Sequence, residues 1–145
     1  MVKTSIERII VIFGLVGAAA TCGLAQSPGA KTATEGPRAQ IAGTWRGHSV
    51  CMVENSPCHN ENNVYRFAEI AGKPGRVSVT ASKVVEGKEI VMGTSEWMYD
   101  QGKQVLEWEG PQGTFRLTVQ GDKLEGSLNN RNGVVYRRIY LEKEK

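Results

Sequence analysis

Residues 103–142, KQVLEWEGPQGTFRLTVQGDKLEGSLNNRNGVVYRRIYLE, decide the fold because four apolar-rich runs alternate with short groups of turn-forming residues. The pair Asn132-Gly133 is the clearest turn, since both central residues of a type I′ hairpin need positive φ, which Asn and Gly accept readily. Connections this short join only antiparallel neighbours, so we expect an antiparallel meander here. The four strand candidates are residues 103–109, 114–120, 123–129 and 134–142.

The same pattern continues towards the N-terminus. Further runs rich in β-branched and aromatic residues are separated by Gly, Pro, Asn and Asp, with no amphipathic helix between them. Eight short antiparallel strands can close on themselves and so remove both exposed edges. We therefore predict an all-β protein, a single eight-stranded antiparallel up-and-down β-barrel, with a two-sheet sandwich as the alternative. The additional strand candidates are residues 41–52, 64–70, 76–85 and 89–99.

The N-terminal residues have the pattern of a signal peptide. Lys3 and Arg8 flank or precede an apolar run at residues 9–20, and Ala25 ends a group of small residues that a signal peptidase reads. We therefore expect export to the periplasm or the medium, with an uncleaved anchor or lipidation at Cys22 as alternatives. The predicted segments are a signal peptide over residues 1–25, a flexible spacer over residues 26–40 and a barrel domain over residues 41–145.

Cleavage after Ala25 would leave a nearly neutral domain. The full chain has a formal charge of +3 at pH 7. The removed segment holds Lys3, Arg8 and Glu7, so one net positive charge is lost and +2 remains. A charge of this size without a basic cluster argues against nucleic acid or an acidic membrane surface as a partner. We expect a monomer with no stable membrane span after processing.

Two cysteines remain after cleavage, Cys51 and Cys58, and a pair close in sequence in an exported chain favours a disulfide. With His48, His59 and Glu61 they also form the densest group of metal-ligand types, so zinc is the alternative. Their spacing fits neither the usual zinc pattern nor the Cys-x-x-Cys-His of c-type haem. We predict a disulfide, no metal and no cofactor, with His59 and Glu61 as solvated loop residues.

Short motifs at the two ends of the predicted barrel carry a family resemblance. Gly43-Thr44-Trp45 opens the first strand candidate, and Tyr136-Arg137 lies in the last. This arrangement resembles the calycins, the group of lipocalins and fatty-acid-binding proteins. The resemblance implies that Gly43, Trp45 and Arg137 close one end of the barrel, with the guanidinium stacked on the indole.

The whole predicted domain also resembles a group of small exported bacterial proteins to which no activity is assigned. That resemblance implies a common fold and an exported location, but no substrate. It rests on Gly43-Thr44-Trp45-Arg46-Gly47, Cys51, Cys58-His59-Asn60-Glu61, Val64-Tyr65-Arg66, Met92-Gly93, Glu125-Gly126 and Tyr136-Arg137.

Few residues are arranged for chemistry. His48 is a lone imidazole with no nucleophile or carboxylate that can be placed beside it, so we do not expect a general base there. Trp97, Tyr99 and Trp108 lie near one turn and either fill the core or line the mouth of a ligand site. Four strand carboxylates are candidates for glycoside hydrolysis but are ordinary on an outer barrel face. These are Glu96, Glu107, Glu109 and Glu125.

Together, these observations favour a non-enzymatic exported binding protein. It would hold a small apolar or amphipathic molecule at its open end or present loops to a protein partner. The alternative is a periplasmic protease inhibitor of the small β-barrel type, with residues 26–40 as an arm that enters the enzyme's cleft. Catalysis is a third hypothesis, because active sites are grafted onto folds. The candidate ligand or partner contacts are His59, Glu61, Trp97, Tyr99 and Trp108.

Overall fold

The computed structural model describes residues 40–145, which form a closed antiparallel barrel of eight strands. Each strand pairs with the next along the chain, and the last pairs with the first. The predicted all-β up-and-down barrel is therefore confirmed, and the sandwich alternative is wrong. The strands are β1 (Gly43–Cys51), β2 (Glu61–Glu69), β3 (Arg76–Val85), β4 (Lys88–Asp100), β5 (Val105–Gly110), β6 (Gly113–Gln120), β7 (Lys123–Asn129) and β8 (Val135–Lys143).

Several predictions concern residues that the structure does not describe. The predicted signal peptide and the predicted spacer up to residue 39 lie outside the described residues. Cleavage, lipidation at Cys22 and an inhibitory arm therefore stay predictions. Within residues 40–145, no helix is long and apolar enough to cross a membrane.

Alternate residues of each strand point into the barrel, as the two-residue period of a strand requires. On β1, Trp45 and Ser49 are buried, whereas the intervening Arg46 and His48 are exposed. The inward apolar residues form one core at the end of the barrel where β1 begins, which we call the closed end. That core comprises Ile41, Trp45, Tyr65, Phe67, Val77, Val79, Trp97, Tyr99, Leu106, Leu117, Val119, Leu124, Ile139 and Leu141.

Two inward glycines allow neighbouring strands to approach closely. A Cβ atom at Gly47 would collide with the backbone of Tyr140 on β8, and one at Gly126 would collide with the backbone of Arg116 on β6. Glycine within a strand often marks a tight bend in a barrel. Because Gly47 is the first inward residue after Trp45, this close approach lies just beyond the packed core.

Trp45 fills the closed end, but its cationic neighbour is Lys143. The indole is fully buried, its Nε1 donates to the carbonyl of Ile41 at 2.8 Å, and Lys143 Nζ lies 5.7 Å from the ring centroid. The β1–β8 register pairs Trp45 with Lys143. The same register pairs Cys51 with Arg137, about 20 Å farther along β8. The prediction that Arg137 stacks on Trp45 is therefore wrong.

β4 and β5 separate over most of their length. Only residues 98–100 of β4 pair with β5, whereas β4 pairs with β3 from Lys88 onwards. A register shift after Ala81 leaves Met92 without a partner on β3. The divergence of β4 from β5 widens the barrel at the end opposite Trp45, which we call the open end.

Candidate functional site

A cavity of about 540 Å³ occupies the open end of the barrel. The loop at residues 52–60 and the turns at residues 111–112 and 130–134 surround its mouth. Its wall combines aromatic and aliphatic side chains with polar groups that come from strand interiors. The apolar and aromatic part is Tyr65, Met92, Phe115, Leu128 and Tyr136, and the polar part includes Ser49, Glu61, Asn63, Gln112, Asn130 and Arg137.

Arg137 points from β8 into this cavity and contacts three polar neighbours. Its Nη1 donates to Ser49 Oγ at 2.7 Å and lies 3.3 Å from Glu61 Oε2, and its Nη2 donates to Cys58 Sγ at 3.5 Å. The side chains of Arg137 and Glu61 are only 14% and 18% exposed. They form a largely buried ion pair, and their formal charges cancel.

Asn63 and Tyr65 continue the polar lining along β2, on the same face as Glu61. Asn63 is 2% exposed, and its Oδ1 has no hydrogen-bond partner among the described residues. Burial raises the pKa of Tyr65 to about 12; the charge of Arg137 opposes this shift and that of Glu61 adds to it. The phenol is therefore protonated at neutral pH and available as a donor.

The predicted Cys51–Cys58 disulfide is present and closes the loop between β1 and β2 at the cavity rim. The amide of Cys51 also donates to Asn60 Oδ1 at 2.9 Å, which holds the end of this loop against β1. As a result β2 begins at Glu61, so the prediction of a solvated loop position for Glu61 is wrong. His59 stays at the rim, 75% exposed, with its Nε2 4.0 Å from Glu61 Oε1.

The aromatic residues predicted for the mouth lie behind the cavity wall or at the closed end. Trp97 and Trp108 stack with ring centroids 6.0 Å apart, and Phe115 packs on them at 5.2 and 5.6 Å. Of these three rings, Phe115 alone lines the cavity. Tyr99 is buried and donates to Gln104 Oε1 at 2.9 Å. The core interpretation therefore applies to Trp97 and Tyr99, and Trp108 packs against that core.

The residues considered for catalysis face outwards. His48 stacks on Tyr140, with ring centroids 5.3 Å apart, on the outer surface. The hydrogen bond from Lys73 lowers the pKa of Glu96, which is an exposed carboxylate on the outside of β4. Among residues 40–145, no group of three or more His, Cys, Asp or Glu side chains is placed to hold a metal ion. The remaining acidic candidates, Glu107, Glu109 and Glu125, occupy outward positions on β5 and β7.

Sequence reasoning missed the buried polar side chains that distinguish this cavity. Counting alternate positions from Trp45 places Ser49 inside the barrel, and this signal was present in the sequence. Asn63 becomes inward only when β2 is extended back to Glu61, against the turn-like composition of that stretch. The position of Arg137 follows from the pairing register of β1 and β8, which composition does not reveal.

Comparison with known proteins assigns no family to this geometry. None of the family models scanned matches the chain, and none of the curated proteins searched is significantly similar to it. The resemblance to calycins and to small exported bacterial proteins therefore stays a prediction. A functional proposal has to come from the cavity and the residues that line it.

Proposed function

We propose that this protein binds a small amphipathic molecule in the cavity at the open end of its barrel. The volume of about 540 Å³ falls within the range of about 300–1,000 Å³ that is common for small-molecule sites. Barrels of eight strands are just wide enough to hold one small ligand. The observation that carries the proposal is the buried carboxamide of Asn63, whose oxygen has no partner among the described residues.

An unpartnered buried acceptor is costly to keep. Leaving one without a hydrogen bond costs about 1–3 kcal/mol, and folded proteins contain few of them. Asn63 borders the cavity, so a donor on a bound molecule can reach its side chain from that side. Phe115 and Leu128 offer apolar surface in the same cavity, which favours an occupant that combines polar and apolar parts.

A binding role fits this site better than a catalytic role. Among the described residues that line the cavity, the one imidazole is His59, and it is 75% exposed at the rim. The Ser49 hydroxyl accepts a hydrogen bond from Arg137, and a nucleophilic serine needs a base within reach to take its proton. The functional groups therefore suit recognition of a ligand.

Blocking the cavity mouth tests the proposal. Met92 lines the cavity and is 48% exposed, so Met92→Trp places an indole at the mouth without disturbing the packed core. The matched control is Val91→Trp, because Val91 is the preceding residue on β4, is 64% exposed and does not line the cavity. The probe is the neutral dye N-phenyl-1-naphthylamine, whose fluorescence rises in an apolar site.

We expect the wild-type protein and Val91→Trp to bind the dye with similar affinity, and Met92→Trp to bind it at least 10-fold more weakly. Native mass spectrometry of protein purified from its own source should also show a bound small molecule that Met92→Trp lacks. The proposal fails if the dye does not bind the wild-type protein, or if both variants bind it equally well.

We also propose that the protein works outside the cytoplasm, after residues 1–25 have been removed. The Cys51–Cys58 disulfide supports this location, since disulfides persist mainly in oxidising compartments. Expression of the full chain in a bacterium, followed by mass measurement under non-reducing conditions, tests it. We expect a chain that begins at Gln26 with its cysteine pair oxidised, recovered from the periplasm or the medium. An uncut chain, or one modified at Cys22, would contradict this proposal.

A further inference from the structure

We infer that the occupant of the cavity has a neutral polar head with both a hydrogen-bond donor and an acceptor, such as a carboxamide, attached to an apolar body. This inference rests on the proposed binding function and specifies the chemistry that the cavity reads. It excludes a free carboxylate or ammonium group as the preferred head. Three features of the polar wall lead to it.

The first feature is the charge balance of the cavity. Arg137 already has an anionic partner in Glu61 at 3.3 Å, and both side chains are largely buried. A ligand carboxylate that approached the guanidinium would also approach Glu61, and a ligand ammonium that approached Glu61 would also approach Arg137. Either ion would lose its water without gaining an unopposed counter-charge, which makes a charged head unfavourable.

The second feature calls for a donor on the ligand. Asn63 Oδ1 is buried beside the cavity and accepts no hydrogen bond from any described residue. An N–H or O–H group on the ligand would complete it, whereas a carboxylate has no proton to offer. The donor requirement therefore separates an amide from a carboxylate of nearly the same shape.

The third feature calls for an acceptor on the ligand. A guanidinium has five N–H donors, and the structure gives that of Arg137 three polar neighbours, at Ser49, Glu61 and Cys58. Tyr65 adds a protonated phenol to the same wall. A ligand carbonyl would accept from these groups, whereas an ammonium cannot accept at all. A head with a donor and an acceptor together matches all three features.

The apolar body has a separate place to lie. Phe115, Leu128, Tyr136 and Met92 contribute carbon surface to the cavity, away from the charged pair in residue type. Burial of an alkyl chain against these side chains supplies affinity that does not depend on the head group. Ligands that differ only in their head therefore report on the polar wall alone.

The test uses three straight-chain probes of equal length, decanamide, decanoate and decylamine, which compete with N-phenyl-1-naphthylamine for the full mature protein at pH 7. We expect decanamide to displace the dye at a concentration at least 10-fold lower than either charged probe requires. Equal potency of the three probes, or a preference for decanoate or decylamine, would overturn the inference while leaving the binding function intact. A failure of the dye and every probe to bind would instead overturn the proposed function.

Two substitutions at Asn63 connect the preference to the residue. Asn63→Leu removes the acceptor with a similar volume, so it should keep dye binding and lose at least 10-fold of the preference for decanamide over decanoate. Asn63→Asp places a negative charge at the same position, so decylamine should gain affinity relative to decanamide. If both variants fold and keep the wild-type order of the probes, Asn63 does not read the head group and the inference is wrong. The wild-type probe series stands as a test even if a variant does not fold.

Discussion

Replacement of Glu61 by Gln removes the charge that balances Arg137 and keeps nearly the same side-chain volume. At 3.3 Å and an effective dielectric constant of about 20, the attraction within this ion pair is about 5 kcal/mol. Solvent at the cavity mouth and the remaining amide acceptor reduce the net loss. We therefore expect Glu61→Gln to lower the free energy of unfolding by about 1–2 kcal/mol, between typical values for exposed and buried pairs.

The same substitution should change which ligand the cavity prefers. With the guanidinium of Arg137 no longer neutralised, decanoate gains an unopposed counter-charge, while decanamide gains nothing. We expect the ratio of decanoate affinity to decanamide affinity to rise about 10-fold, which corresponds to about 1.4 kcal/mol. Urea denaturation measures the first effect, and dye displacement at pH 7 measures the second.

The matched control for this experiment is Glu125→Gln, because Glu125 is an exposed residue on the outer face of β7. It removes the same formal charge from the whole protein but leaves the cavity unchanged, so it should alter neither stability beyond about 0.5 kcal/mol nor the probe ratio. A Glu61→Gln protein with the wild-type probe ratio would refute the reasoning, since Arg137 would then not sense the charge of the ligand.

Three further predictions concern the rest of the barrel. Replacement of Cys51 and Cys58 by Ala should lower the free energy of unfolding by about 2–3 kcal/mol, because the short loop loses its cross-link, and urea denaturation with and without reductant checks this. Trp45→Phe removes a buried N–H donor and indole volume, so it should cost about 2–4 kcal/mol by urea denaturation yet leave dye affinity unchanged. The hydrogen bond from Arg66 lowers the pKa of Glu89, so its contribution to stability is complete above the ordinary pKa of 4.5 and is lost as the pH falls through the folded-state pKa; the difference in melting temperature between wild type and Glu89→Gln should shrink from pH 7 to pH 3.5, and a constant difference would contradict it.

The architecture was predictable because turn chemistry and strand length act locally. Asn132-Gly133 and the other glycine-containing turns limit each connection to a few residues, which leaves antiparallel neighbours as the only arrangement. Eight such strands close into a barrel because the alternative leaves unpaired edges. The bounds of β3 and β7 agree with the prediction at both ends, since clear turn residues flank these strands.

The site was harder to predict because it depends on register and on a covalent cross-link. The β2 strand begins at Glu61, not at residue 64, because the disulfide and the bond from the Cys51 amide to Asn60 hold a polar stretch in an extended conformation. Arg137 was assigned to the wrong end because a pair of motifs in sequence does not fix which residues face each other. In the structure Lys143 has the place beside Trp45.

The contrast between the two ends of the barrel is the strongest reason to place function at the open end. Around Trp45 the interior is apolar and fully packed, and the indole N–H has a partner, so each choice there favours stability. Around Arg137 the interior contains a largely buried ion pair and an unpartnered amide at Asn63, both of which apolar residues of similar size would replace at equal or better stability. A sequence that satisfies its packing rules at one end and departs from them at the other has the pattern expected when the departure serves recognition.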